Sequence, residues 1–254
     1  MQSTLDLNCD LGEGAPCDAE LMPLISSANI ACGAHAGSLE TMIETVELAL
    51  RHNVAVGAHP GYFDLENFGR RERDIAPGEA ARLVLLQLEQ LHEVAGAKLR
   101  HVKLHGALYT QVSCDRYLAE AVISDLVRLW PDVTLYALAN SELSRAAQDR
   151  GMRVVEEAFA DRTYRRDGSL TPRTQPNAVI TDPEQAVAQV LRLVREGRVQ
   201  TVDGGVIEVR AGTLCLHSDT PDAVTFARLL RSELERAGVT IRAPRLRRDL
   251  RFEI

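Results

Sequence analysis

The chain has 254 residues, 45% of them hydrophobic and 26% charged, which suits one large α/β domain with its own core. A formal charge of −7 excludes a general nucleic-acid binder, because such proteins need a basic field to displace phosphate counterions. Only 4% of residues are aromatic, so the core is aliphatic. No leader-like segment and no apolar run of membrane-spanning length is read, and a cytoplasmic protein without membrane contact is expected.

Seven short apolar runs alternate with helical patterns: Leu5 to Asp10, Ala28 to Cys32, Val54 to His59, His101 to His105, Val133 to Leu138, Val154 to Phe159, and Thr213 to His217. This is the signature of βα units around a parallel sheet, and the length suits a barrel. Thr181-Asp182-Pro183-Glu184 caps one helix, and Gly197 stops it. Asp219-Thr220-Pro221 is expected to start the last helix, which ends at Gly238.

Two segments depart from the alternation. Ala160 to Thr181 is long, polar and punctuated by Gly and Pro, and predicts a mobile lid or a partner-facing element. Val199 to Val209, broken by Asp203-Gly204-Gly205, predicts an inserted β-hairpin. The expected organisation is a single catalytic domain over 1–254 with that hairpin and a short Arg-rich tail from Arg242 to Arg251.

Strand alternation sorts the candidate site. In the first run Asp6, Asn8 and Asp10 share the interior face, opposite Leu5, Leu7 and Cys9. Asp6 and Asp10 lie roughly 13 Å apart along the strand, too far to act as one dyad. Asp10, at the C-terminal mouth, is expected to be catalytic, against a capping role in the Gly12-Glu13-Gly14 turn; Asp6 is expected to pair inside. In the fourth run His101, Lys103 and His105 face inward. Lys103 reads either as a structural partner of Asp6 or as an anchor for a substrate anion or a proton-transfer group, with burial expected to lower its pKa.

His35, His59 and His217 end three other strands. One such histidine is more often a satisfied core residue, but four converging strand ends, with His105, point to catalysis. His52 and His92 lie in helical patterns and are expected at the surface. A divalent metal on Asp10, His35 and His59 is an open option, unsupported by any compact HxxxH or HExxH spacing. The five cysteines form no CxxC pair, and Cys9, Cys32 and Cys215 read as small buried hydrophobes.

Several stretches together resemble the LamB/YcsF family: Asp6 to Gly14, Ser27 to Gly37, Gly57 to Pro60 with Asn67 to Arg70, His101 to Lys103 with His105-Gly106 and Leu108-Tyr109, Phe159 to Arg162 with Asp167 to Leu170 and Pro172-Arg173, and Cys215 to His217. Departures fall at Leu104, Thr110, Asn177 and Ser218. None removes a group assigned to chemistry, although Leu104 and Ser218 adjoin His105 and His217.

The resemblance implies a seven-stranded barrel of glycoside hydrolase/deacetylase type that opens 5-oxo-L-proline to L-glutamate, with ATP hydrolysis and with partner subunits B and C. ATP with its Mg is then expected on the partners, since no GxxxxGK[ST] loop occurs here. The expected catalytic residues are Asp10, His35, His59, His105 and His217. The substrate is expected at Asn8, Asn29, Arg70, Lys103 and Arg173. A stand-alone metal-dependent deacetylase or amidase, and a non-enzymatic carrier or scaffolding component, are the alternatives.

Overall fold

A computed structural model describes residues 4–219 and 222–245. Its strands are β1 (Thr4–Leu11), β2 (Ser27–Ala31), β3 (Ala55–His59), β4 (Leu99–Lys103), β5 (Thr134–Leu138), β6 (Val154–Phe159), β7 (Arg198–Gln200), β8 (Val206–Glu208), β9 (Thr213–His217) and β10 (Thr240–Ile241). The helices are α1 (Asp18–Leu21), α2 (Leu39–Arg51), α3 (Pro77–Ala95), α4 (Gly106–Cys114), α5 (Arg116–Leu129), α6 (Glu142–Asp149), α7 (Pro183–Glu196) and α8 (Ala223–Arg236). β1 to β6 and then β9 pair in parallel, and β9 pairs back onto β1 at Asp6 to Asp10. The seven expected runs therefore close into a barrel. The hairpin forms as β7 and β8, while β10 extends the barrel edge by pairing with Thr4 and Leu5.

Leu5, Leu7, Cys9 and Leu11 are buried in one aliphatic core with helix residues such as Val84, Leu88 and Leu91. Each such side chain contributes about 1.5–3 kcal/mol on leaving water, which forces the alternate residues of β1 into the barrel interior. Barrels of this kind usually fill that interior with branched aliphatics. Here it holds buried Asp6, Asn8, Asp10, Ser27, Asn29, His101, Lys103, Glu157 and Thr213. Such groups are tolerable only when partnered.

At the barrel floor Asp6 Oδ1 accepts from Ser26 Oγ at 2.6 Å and Ser27 Oγ at 2.7 Å, and Oδ2 accepts from Thr213 Oγ1 at 2.6 Å. Above it, the His101 ring needs the space over Gly57, where a Cβ would come within 2.1 Å of Nε2.

Asp182 caps α7 by accepting from Glu184 N, and Gly197 ends it in the left-handed conformation. The start of α8 differs from expectation: its N-cap is Asp222, whereas the Asp219 carboxylate pairs with Arg70. Thr220 and Pro221 lie outside the described residues, as does the tail beyond Arg245.

The segment from Ala160 to Thr181 lies at the strand ends, with Asp161 on His217, and is held together from within: buried Arg162 donates to the carbonyls of Thr171 at 2.6 Å and Ala178 at 3.1 Å. Tyr164 is buried, and its hydroxyl accepts from Phe159 N at 2.8 Å. Tyr164 and Leu170 pack into the core and anchor the segment.

Candidate active site

Asp10 leaves the end of β1 and gathers the site. Its Oδ1 accepts from Asn29 Nδ2 and from Lys103 Nζ, both at 2.8 Å, and its Oδ2 lies 3.3 Å from His59 Nε2. Burial alone would raise this carboxyl, but the charges of His59 and Lys103 outweigh it and hold Asp10 well below the ordinary range. Asp10 is therefore ionised at neutral pH.

Lys103 does not pair with Asp6. Its Nζ contacts Asp10 Oδ1, Cys215 Sγ at 2.9 Å, Glu157 Oε1 at 3.3 Å and Asn8 Oδ1 at 3.3 Å. The expected lowering of its pKa is reversed: burial acts downward, but Asp10, Cys215 and Glu157 together hold the ammonium well above its usual value. With its protons so occupied, a substrate anion would have to displace a protein partner. Asn8 and Asn29 lie in the same buried layer. Asn8 Nδ2 donates to Glu157 Oε1 and Thr213 Oγ1, both at 2.8 Å, while Asn29 donates to Asn8 Oδ1 at 2.7 Å. His101 Nε2 donates to Asn29 Oδ1 at 2.9 Å, so His101 belongs to the scaffold under the mouth.

The histidines divide into two groups. His217, at the end of β9, holds its Nδ1 2.9 Å from Asp161 Oδ2, with its ring stacked on Phe159. A carboxylate on Nδ1 fixes the tautomer and leaves Nε2 able to accept a proton. Across the mouth stand His35, His59 and His105 with Glu13. Glu13 Oε1 lies 3.0 Å from His35 Nε2 and 3.3 Å from His105 Nδ1. Burial and then the Asp10 charge push Glu13 up to about 7; burial depresses His35 to about 4 and also lowers His105.

The two arginines sit at the rim. Arg70 is ion-paired with Asp219 and lies over the Phe68 ring, and Arg173 is exposed. His52 and His92 are exposed, and Cys9, Cys32 and Cys215 are buried, as expected.

The LamB/YcsF family profile matches residues 5–248. The chain belongs to the LamB/YcsF family. It is 48% identical over 249 residues, 95% of this chain and 98% of the relative, to the A subunit of 5-oxoprolinase from Shouchella clausii. The crystal structure of the lactam utilization protein from Thermus thermophilus superposes with a TM-score of 0.87 at 45% identity, covering 95% of this chain and 100% of that one. A deacetylase solved with substrate matches at a TM-score of 0.50 and 15% identity, over 94% of this chain and 87% of that one. That likeness is one of fold: a seven-stranded barrel of glycoside hydrolase/deacetylase type.

In this LamB/YcsF chain, three acidic residues of the site escape the sequence reading. Glu157, buried, accepts from Asn8, Lys103 and Tyr109, the last at 2.7 Å. Glu13 reads from sequence only as part of a turn, although a charge between two glycines just after Asp10 is a usable signal. Asp161 stands in the sequence as one charge of the long segment, with nothing there to join it to His217. No helix of the described residues is long and apolar enough to cross a membrane.

Proposed function

We propose that this LamB/YcsF chain is the hydrolytic component of an ATP-dependent 5-oxoprolinase, opening 5-oxo-L-proline to L-glutamate with partner subunits B and C. The observation that carries this reading is the near-full-length similarity to a relative named as the A subunit of 5-oxoprolinase. The polar mouth, with one ionised carboxylate facing carboxylate-backed and buried imidazoles, supports a hydrolytic role.

A five-membered lactam is a poor electrophile. Transfer of a phosphoryl group from ATP to its carbonyl oxygen, assigned to the partners with their Mg, makes the carbon open to water. Water addition, cleavage of the C–N bond and delivery of a proton to the ring nitrogen leave an acyl phosphate. A second water converts it to glutamate and phosphate.

In this chain His217, oriented by Asp161, takes the proton from the attacking water, and ionised Asp10 stabilises the imidazolium that forms. Lys103 positions Asp10 and keeps it charged. Arg70 and Arg173, at the rim, receive the substrate's anionic groups. His35, His59 and His105 complete the opposite wall, with Asn8 and Asn29 holding the layer below.

The test is ATP-dependent glutamate release by the chain with subunits B and C, against the partners alone and against His217→Ala. Equal release without this chain would sink the reading. The imidazole cluster around Glu13 favours a second reading, a metal-dependent deacetylase or amidase. ATP-independent hydrolysis of acetylated sugars by the isolated chain, abolished by a chelator, would establish it instead.

A further inference from the structure

We propose that Glu13, His59 and His105 form a binding site for one divalent transition-metal ion of the zinc class, with His35 positioning Glu13. Each residue comes from a different strand end. Glu13 follows β1, His35 follows β2, His59 ends β3 and His105 follows β4.

The hydrogen bonds at the outer edges of two rings determine what their inner edges offer. His59 Nδ1 lies 2.9 Å from the Lys103 carbonyl, and His105 Nε2 lies 2.9 Å from the Phe68 carbonyl. A carbonyl only accepts, so each of these nitrogens carries the hydrogen. The opposite nitrogens, His59 Nε2 and His105 Nδ1, face each other at 2.9 Å with one proton between them. A metal ion that displaces this proton meets two imidazole lone pairs at once, as metal binding to histidine requires. Glu13 Oε1 adds a third donor, 3.3 Å from His105 Nδ1 and 3.8 Å from His59 Nε2.

These three separations bracket the edge of about 3.3 Å that a tetrahedral ion would impose at about 2.0–2.1 Å from each donor. The donor atoms of all four residues lie within 4.8 Å of one another. His35 is the exception in geometry. Its ring is stacked on His105 at 3.7 Å and 5°, so its lone pair runs beside that of His105 and does not converge with it. Its contact of 3.0 Å with Glu13 Oε1 instead aims the carboxylate. A fourth coordination position remains on the side of Asp10 Oδ2, 3.3 Å from His59 Nε2.

Two imidazoles and a carboxylate suit zinc, cobalt or ferrous iron better than magnesium, which prefers oxygen alone. The set differs from the Asp10, His35 and His59 group that the sequence leaves open. Outer hydrogen bonds to carbonyls are also the usual supports of metal-bound imidazoles.

The experiment is titration of the chelator-treated full chain with Co²⁺ and with Zn²⁺. It is followed by calorimetry and by the visible absorption of Co²⁺, with no substrate or partner present. One equivalent is expected to bind. His59→Gln and His105→Gln should each weaken binding by at least about 100-fold, His35→Gln by about 10–100-fold, and exposed His52→Gln not at all. Anomalous scattering from Zn²⁺-soaked wild-type crystals should place the ion against His59 Nε2, His105 Nδ1 and Glu13 Oε1, whatever the folding of the variants. Absence of stoichiometric binding, an ion held instead by Asp10, Cys215 and His217, or unchanged binding in the folded His59→Gln and His105→Gln variants would overturn the proposal.

Discussion

Lys103 Nζ lies 2.8 Å from Asp10 Oδ1, and the same ammonium lies 3.3 Å from Glu157 Oε1, with all three side chains almost wholly buried. One buried cation thus serves two buried carboxylates. Lys103→Met removes it while keeping the apolar stem, and takes from both carboxylates the cation they share. Breaking a buried pair in this way costs about 3–5 kcal/mol. Urea unfolding should show a loss of that order, together with loss of glutamate release by the reconstituted complex. A variant as stable as the wild type would mean that the Lys103 ammonium adds nothing to the stability of the barrel interior.

Asp161 and His217 form the second functional pair, and their roles separate in kinetics. Asp161→Asn keeps the size and a hydrogen bond but no longer favours the tautomer with the proton on Nδ1. Turnover of the complex should fall by about 10²–10⁴-fold, with KM and thermal stability little changed. A fall in stability matched by no change in kcat would make the pair a structural bond only.

How much of this is legible in the sequence depends on pattern length. Leu5, Leu7 and Cys9 against Asp6, Asn8 and Asp10 is a full strand of alternation, so the barrel and its inward face can be read directly. Glu157 is hidden because it follows Glu156, and two adjacent glutamates do not say which one points inward. The pairing of Glu157 with Thr213 of β9 decides it, while Glu156 turns outward to Ser144 Oγ at 2.8 Å. The partner of Lys103 is hidden for a related reason: Asp6 and Asp10 share a face, and only the depth of β4 against β1 tells which one the ammonium meets. β10, at two residues, carries no period at all.

Gly57 reports on the same interior packing. A methyl group there would lie 2.1–2.4 Å from three atoms of the His101 ring. That ring is pinned by Asn29 and stacked on Tyr136 at 4.2 Å, so it has little room to retreat. Gly57→Ala is expected to destabilise by about 1–3 kcal/mol through overpacking, measured as a lower urea midpoint at unchanged slope. A neutral result would show that the ring is free to move.

His101 itself makes the barrel sensitive to acid. Burial, and then the positive charges of Lys103 and His59, lower its pKa from 6.5 to about 3. In the unfolded chain the imidazole takes up a proton below about 6.5, whereas in the native state it stays neutral down to about 3. Between those values the unfolded state binds more protons, so native stability falls as the pH falls and is restored as it rises. At about pH 5, some 1.5 units below the unfolded value, the contribution is about 2 kcal/mol. It does not depend on where below about 4 the native value lies. His101→Gln keeps a side-chain amide that can donate to Asn29 and removes the titration. Urea unfolding of both proteins at about pH 8 and about pH 5 should show the wild type losing about 2 kcal/mol more than the variant. Other titrating groups cancel in that comparison. Equal losses would mean that His101 is protonated in the folded barrel, and that Asn29 Oδ1 accepts from an imidazolium.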